Sequence, residues 1–147
     1  MGRRSQRDAG GASCRPAAVI VVDSSVWIAH LRGLDTAAVR KLFVIGDAEQ
    51  ILVGDLVLFE VLQGTRSEAH ARRIERDLTQ FPVVRMLSPA LAVQAARNYR
   101  QMRDLGVTVR KTIDIIIATF CIAGRHRLLH DDRDFEPMTA YLGLRVV

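Results

Sequence analysis

The chain reads AAVIVVDSSVWIAHLR at residues 17–32, where a short apolar run meets an acid and then a helical pattern. The run at residues 17–22 has no polar interruption, which is typical of a parallel strand buried on both faces. Ser24 and Ser25 follow Asp23 and offer an N-cap for a helix over VWIAHLR. The order strand, acid, helix predicts an α/β fold with Asp23 at the C-terminal end of a strand.

The same alternation of strand and helix continues along the chain. Apolar runs bounded by turn residues indicate further strands, and capped segments with a helical repeat indicate further helices. This alternation predicts a three-layer α/β/α sandwich around a mainly parallel central sheet. The further strands are expected at 51–54, 83–87, 127–130 and 144–147, and the further helices at 37–45, 56–63, 67–81, 89–105 and 112–124.

Caps and apolar stripes define the ends and faces of these helices. Thr36, Asp55 and Ser88 are the expected N-caps of the second, third and fifth helices. Apolar residues at helical spacing predict which face of the fifth helix is buried. That stripe consists of Leu91, Ala95, Tyr99 and Met102.

Four acids stand against or inside apolar segments, where carboxylates are costly. A buried carboxylate without a partner costs several kcal/mol or becomes neutral through a raised pKa, so such acids usually face a cation. The predicted topology places all four near the carboxyl edge of the sheet, and converging carboxylates with few basic neighbours favour magnesium or manganese. The acids are Asp23, Glu60 in LVLFEVL, Asp114 in TIDIIIATF and Asp132 in LLHDDRDF.

Each acid also has a purely structural interpretation. Asp23 can cap a helix, and Asp114 suits the first turn of one. Glu60 can be an exposed helical position, and Asp132 can belong to a turn. Taken together, these interpretations leave unexplained why Glu60 and Asp114 each lie between large apolar neighbours.

Composition sets broad limits. The 147 residues are 49% hydrophobic and 25% charged, which suits one globular domain. Residues 1–18 contain four arginines and one aspartate and carry +3 of the net charge of +5. Only +2 remains for the rest of the chain, which is weak support for nucleic-acid binding.

The cysteines and the apolar runs indicate where the protein is found. Cys14 and Cys121 make no disulfide framework, and no apolar run approaches the ~18 residues of a membrane span. We expect a flexible extension over residues 1–18, no membrane association and a cytoplasmic location.

Four segments, in order, resemble the PIN-domain ribonucleases, specifically the VapC toxins of bacterial toxin–antitoxin pairs. The resemblance implies a PIN domain over residues 19–147 and says nothing about residues 1–18. The segments are VIVVDSSVWIAHLRG (19–33), GDLVLFEVLQGTRS (54–67), GVTVRKTIDIIIATFCI (106–122) and LLHDDRDFEPMTAYLGLRVV (128–147).

The resemblance implies that the four acids form a pocket for one or two Mg²⁺ ions, with Mn²⁺ as a substitute. Asp23 and Asp114 are the implied direct ligands. Glu60 would bind a second ion or hold a metal-bound water, and Asp132 would complete the pocket directly or through water. The implied reaction is hydrolysis of an RNA phosphodiester by a magnesium-dependent endoribonuclease.

The resemblance also implies partners, namely RNA, a cognate VapB-like antitoxin and a second copy of the chain in a homodimer. Basic residues near the acids are candidates to guide the RNA backbone, although they are also ordinary solvated charges. These candidates are Arg110, Lys111, Arg125 and Arg133.

The segment at the fourth acid departs from the family pattern. Family members often have Ser, Thr or Asn where His130 stands, so a hydroxyl contact there is in doubt. The run from Asp131 to Asp134 makes the fourth acid ambiguous. Asp132 is preferred for its spacing to Phe135, and Asp134 is the substitute and is expected to be a helix cap.

Two other functions are compatible with acids at strand ends. A magnesium-dependent phosphotransfer or phosphatase domain also places acids at strand ends, but such phosphatases need DxD after the first strand, whereas Asp23 is followed by Ser24 and Ser25. The other rival is a non-catalytic RNA-binding module in which the acids only cap helices. It predicts that metal is irrelevant.

Overall fold

A computed structural model describes residues 19–46 and 50–147, so the expected extension over residues 1–18 lies outside the described residues. The described part contains one five-stranded sheet with the order β3-β2-β1-β4-β5, and every neighbouring pair is parallel. The strands are β1 (Ile20–Val22), β2 (Ile51–Gly54), β3 (Val83–Val84), β4 (Arg127–Leu129) and β5 (Arg145–Val146).

The helices form two packed groups. In one group α1 packs against α2 and α3, and α3 packs against α4, while in the other α5 packs against α6 and α7. With the sheet, these groups make the expected α/β/α sandwich. The helices are α1 (Ser24–Leu31), α2 (Ala37–Ile45), α3 (Asp55–Gln63), α4 (Glu68–Leu78), α5 (Pro89–Asp104), α6 (Thr112–Gly124) and α7 (Glu136–Leu142), with a 3₁₀ turn at Arg133–Phe135.

Strand β1 is the centre of the sheet and of the core. Its residues Ile20, Val21 and Val22 are fully buried, because β2 and β4 flank the strand and helices cover both faces. The uninterrupted apolar run in the sequence is thus explained by burial on both sides. Since all strands are parallel, their carboxyl ends lie at one edge, where the helices α1 and α3 begin.

Two helix caps differ from the first assignment. The N-cap of α1 is Asp23, as its structural interpretation allowed, rather than Ser24 or Ser25, and its side chain accepts from the backbone N–H of Ser25. The N-cap of α3 is Gly54, and Asp55 is the first helical residue. Oδ1 of Asp55 accepts from Leu56 N at 2.8 Å and from Met86 N at 3.1 Å.

That contact also shortens the third strand. Strand β3 was expected over 83–87 but contains only Val83–Val84. The N–H of Met86 is bound by the carboxylate of Asp55, so it does not continue the ladder with β2. A side chain about thirty residues away in the sequence thus ends the strand.

The buried face of α5 also differs from the predicted stripe. Tyr99 is 38% exposed, whereas Asn98 is buried together with Ala95 and Met102. Nδ2 of Asn98 donates to Oγ1 of Thr119 at 2.9 Å, so the amide has a partner in α6. Asn98 can therefore be buried on α5, because its amide has a hydrogen-bond partner in α6.

The segment after β4 is more regular than the expected turn. Residues Arg133–Phe135 form a 3₁₀ turn, and α7 follows, with Pro137 in its first turn and Gly143 at its end in the left-handed region (φ 77°). Among the described helices, none combines the length and apolarity needed to cross a bilayer.

Candidate metal centre at the carboxyl edge of the sheet

Asp23 connects the end of β1 to the start of α1. Its backbone N–H donates to Leu129 O at 2.9 Å, which holds it beside the end of β4. Its Oδ2 accepts from Ser25 N at 3.0 Å and from Ser25 Oγ at 2.6 Å. The other oxygen, Oδ1, is buried and has no hydrogen-bond partner among the described residues. Helix capping therefore explains the environment of Oδ2 but not that of Oδ1.

Asp114 lies in the first turn of α6 and is only 3% exposed. Its Oδ2 is also buried without a partner in the described chain. Burial, followed by the charge of Asp23, raises the pKa of Asp114 from 3.8 to about 7. A helix N-terminus stabilises a negative charge, but here burial and the like charge outweigh it.

Both candidates for the fourth acid, Asp132 and Asp134, lie close to Asp114. Ligand oxygens of Asp114, Asp132 and Asp134 all lie within 4.8 Å of one another. Asp132 caps the 3₁₀ turn, since its Oδ1 accepts from Asp134 N at 3.0 Å. The expectation that Asp134 is a helix cap is wrong, because Asp132 is the N-cap of the 3₁₀ turn and Phe135 is the N-cap of α7.

Lys111 is the cation of this cluster. Its Nζ lies 3.1 Å from Oδ2 of Asp132, in a salt bridge whose lysine side chain is half exposed. Burial raises the pKa of Asp132, but hydrogen bonds from Asp134 N–H and from Lys111 lower it more, so the net shift is downward. The hydrogen bond to Asp132 raises the pKa of Lys111.

Glu60 lies on α3, beside Asp23 rather than within the group formed by Asp114, Asp132 and Asp134. Its Oε1 accepts from Ser24 Oγ at 3.2 Å. Burial and then the charge of Asp23 raise the pKa of Glu60. The electrostatic coupling places all four predicted acids in one negative region, with Glu60 at its edge.

Of the other basic candidates for RNA binding, Arg110 and Arg133 lie at the carboxyl edge of the sheet, and Arg125 does not. Arg110 precedes Lys111 and is exposed, and Arg133 is exposed in the 3₁₀ turn next to Asp132. Arg125 instead follows the C-terminal end of α6, about 16 Å along the helix from Asp114. The structure therefore does not bring Arg125 to the acids.

The side chains present fit a hard divalent cation. The cluster offers carboxylate oxygens, which are the ligands that Mg²⁺ and Mn²⁺ prefer, and one lysine faces several acids. The two orphaned oxygens, on Asp23 and Asp114, are buried acceptors that a cation would satisfy. Zinc would favour thiolate and imidazole ligands, whereas the grouped side chains are carboxylates. Cys121 is buried in the core, and its pKa is raised by burial to about 12.

Ser25 was recognised in the sequence only as a possible cap. Its Oγ donates to Asp23 at 2.6 Å and accepts from Asp131 N at 3.0 Å, and so it ties the ends of β1 and β4 together. The second serine after Asp23 was the available signal. Its link to Asp131 depends on the pairing of β1 with β4, which the local sequence does not encode.

Comparison with known proteins agrees with this arrangement. The PIN domain matches residues 20–140. Ribonuclease VapC11 of Mycobacterium tuberculosis is 28% identical over 130 residues, which cover 86% of this chain and 96% of that protein.

Two solved structures share the fold. VapBC2 from Rickettsia felis, bound to a DNA fragment from its promoter, aligns with a TM-score of 0.72 and 13% identity, covering 88% of this chain and 97% of that one. VapC20 of Mycobacterium tuberculosis, a sarcin-ricin loop cleaving toxin, aligns with a TM-score of 0.60 and 19% identity, covering 80% and 93%. The match to the PIN domain runs from the first strand into the last helix, and the chain therefore belongs to the PIN-domain family.

Proposed function

We propose that this protein is a magnesium-dependent endoribonuclease toxin of the VapC type, acting in the cytoplasm on RNA, with Mn²⁺ able to replace Mg²⁺. The observation that carries the proposal is the pair of buried, unpartnered oxygens, Asp23 Oδ1 and Asp114 Oδ2, at the carboxyl edge of a PIN fold. Buried acceptors of this kind call for a cation.

Asp23 and Asp114 would hold the cation directly. Asp132 and Asp134, whose oxygens lie close to Asp114, would complete the carboxylate set, and Glu60 on α3 would hold a water or a second ion. A bound divalent cation would polarise the phosphoryl oxygens and lower the pKa of the attacking water.

The chain's own hydrogen bonds prepare this site. Ser25 holds one oxygen of Asp23 and leaves the other for the cation, and Ser24 orients the Glu60 carboxylate. Lys111 neutralises part of the charge of Asp132. These contacts fix the carboxylates before substrate arrives, which lowers the reorganisation needed for catalysis.

The RNA backbone would approach along the exposed basic side chains at this edge. Arg110, Lys111 and Arg133 are suited to contact phosphates, which position the strand without reading its sequence. Arg125 lies at the other end of α6 and is left out of this path.

A cognate antitoxin is the expected regulator. The Rickettsia felis neighbour is a VapBC pair, and this chain aligns with it over 88% of its length. We expect a VapB-like partner that covers the acidic pocket, and a homodimer of the toxin. The PIN domain would span residues 19–147, with residues 1–18 as an extension.

Controlled expression tests the proposal. Induction of the protein in a bacterial host should arrest growth and generate new RNA 5′ ends, and sequencing of these ends identifies the target. Coexpression of the neighbouring small gene product should restore growth and co-purify with the toxin. Unchanged growth and unchanged RNA ends, at a confirmed level of folded protein, would contradict the assignment.

A further inference from the structure

The imidazole of His130 is fixed at the edge of the acidic cluster. His130 follows the last residue of β4, and its Nδ1 accepts from Asp132 N at 3.3 Å. The ring also packs on Phe135, with centroids 4.9 Å apart, and Phe135 is fully buried. A backbone hydrogen bond and a buried ring thus restrain the imidazole.

The contact at Nδ1 determines where the ring carries its hydrogen. A backbone N–H can only donate, so Nδ1 is the acceptor and the hydrogen of the imidazole lies on Nε2. Within residues 19–46 and 50–147, no protein group pairs with Nε2. His130 therefore presents a spare donor from a restrained ring.

His130 lines a surface pocket of about 320 Å³. It is lined by His130, Asp131, Asp132, Arg133 and Glu136, and it shares Asp132 with the acidic cluster. The pocket thus combines a hydrogen-bond donor at His130 with carboxylate acceptors at Asp131 and Glu136, and Arg133 adds a guanidinium.

Donor and acceptor side by side suit a hydroxyl group. A phosphate offers only acceptors and suits the Arg133 guanidinium. A ribose 2′-hydroxyl both accepts and donates, and so it suits the imidazole donor together with the carboxylate acceptors. We infer that Nε2–H of His130 donates to the 2′-hydroxyl of a nucleotide beside the scissile bond, so that this pocket selects RNA over DNA. The inference rests on the proposed ribonuclease function and adds a specificity residue to it.

Two substitutions separate the donor from the structural contact. In His130→Asn the amide oxygen occupies the position of Nδ1 and can still accept from Asp132 N, but the Nε2 donor is lost. In His130→Gln the amide nitrogen extends toward the position of Nε2 and retains a donor. His70→Asn, on α4 and away from the acids, is the matched control.

The probe is a short single-stranded RNA that the unaltered protein cleaves, synthesised with a single 2′-deoxynucleotide at each position in turn. At one position the deoxy change should lower kcat/KM of the unaltered protein by ~10-fold, the loss of one hydrogen bond. His130→Asn should lower kcat/KM on the all-RNA probe by a similar factor, and in this variant the deoxy change should not lower kcat/KM further.

His130→Gln should recover part of the lost kcat/KM, while His70→Asn should have the kcat/KM of the unaltered protein. The melting temperature and Mn²⁺ affinity of His130→Asn should be unchanged.

Several results would overturn the inference. These are an unaltered protein that tolerates every single 2′-deoxy change, a His130→Asn variant with unchanged kcat/KM, or the same deoxy penalty in both proteins. The first result is independent of how any variant folds. In each case cleavage by the unaltered protein would leave the proposed function standing, whereas a protein that cleaves no RNA would overturn both.

Discussion

The two carboxylate oxygens of Asp23 lie in different environments. Oδ2 is held by Ser25, while Oδ1 is buried and unpartnered in the described chain. Asparagine caps a helix about as well as aspartate, so a substitution can remove the charge and keep the cap. The chemical and structural duties of this residue are therefore separable by experiment.

Asp23→Asn should weaken Mn²⁺ binding by at least ~10-fold while leaving the melting temperature of the metal-free protein unchanged or higher, because a repelling charge has been removed from the cluster. Isothermal titration calorimetry and thermal unfolding measure the two effects. Asp77→Asn makes the same chemical change on the exposed face of α4 and should bind Mn²⁺ normally. Normal Mn²⁺ affinity of Asp23→Asn would remove Asp23 from the ligand set.

The raised pKa of Asp114 makes the stability of the metal-free protein depend on pH. The folded-state pKa of about 7 lies above the ordinary value of 3.8, so the folded protein binds this proton more tightly than the unfolded chain. The contribution of Asp114 to the free energy of unfolding is largest below pH ~4 and is lost as the pH rises through ~7. The melting temperature should therefore fall more steeply between pH 5 and 8 in the unaltered protein than in Asp114→Asn. Parallel curves for the two proteins, measured in chelator, would contradict this account.

At the scale of elements, the start of α3 shows how tertiary packing positions a site helix. The carboxylate of Asp55 binds the backbone N–H of both Leu56 and Met86, and the side chain of Met86 lies against Gly54. These contacts join the end of β2 to the segment after β3. They set the position of α3, and hence of Glu60.

Gly54→Ala should destabilise the protein by ~1–3 kcal/mol, because the added Cβ would overlap Sδ and Cε of buried Met86. Gly64→Ala is the matched control at the other end of α3, since its nearest neighbours would lie at an ordinary 3.7 Å. Its effect should stay within ~0.5 kcal/mol. Chemical denaturation measures both, and equal stability of the two variants would show that Met86 repacks without cost.

The sequence was most informative where local pattern and tertiary structure agree. The strand ILVG at Ile51–Gly54 and the helix Thr112–Gly124 have the predicted bounds, because each is defined by its own residues. Of the strand expected over 17–22, the described residues contain Ile20–Val22. The errors arose where a distant side chain decides the outcome. Asp55 ends β3 early through Met86, and Asn98 can be buried because its amide has a partner in Thr119.

The candidate site was predictable in part for the same reason. Acids in apolar surroundings identified Asp23 and Asp114, whose placement in the fold is consistent with the expectation. The choice between Asp132 and Asp134 needed the 3₁₀ turn, which brings both to Asp114. Arg125 was a candidate as a basic residue near the acids in the sequence, but it follows the end of α6 that is remote from them.

Across the whole molecule, parallel strand order gathers the acids. Strands β1 and β4 are neighbours, so Asp23 and the Asp132 segment follow adjacent strands at one edge, and Asp114 opens α6 beside them. The chain between these acids is long, yet the sheet brings them together. The site is therefore a property of the whole fold rather than of one motif.

A protein that begins at Ala18 should retain the melting temperature and the RNA cleavage of the full chain, because β1 begins at Ile20 and the family match begins at the same residue. Thermal unfolding and a cleavage assay on both proteins test this. A loss of RNA affinity with unchanged stability would instead assign the N-terminal arginines to RNA binding.

Cleavage of single-stranded RNA by the purified protein, before and after removal of metal, tests whether the acidic cluster acts through a bound cation. We expect cleavage in Mg²⁺, loss of cleavage in EDTA, recovery when excess Mg²⁺ or Mn²⁺ is added, and no recovery in the folded Asp114→Asn variant. Cleavage that persists in EDTA, or that Asp114→Asn retains in full, would contradict it.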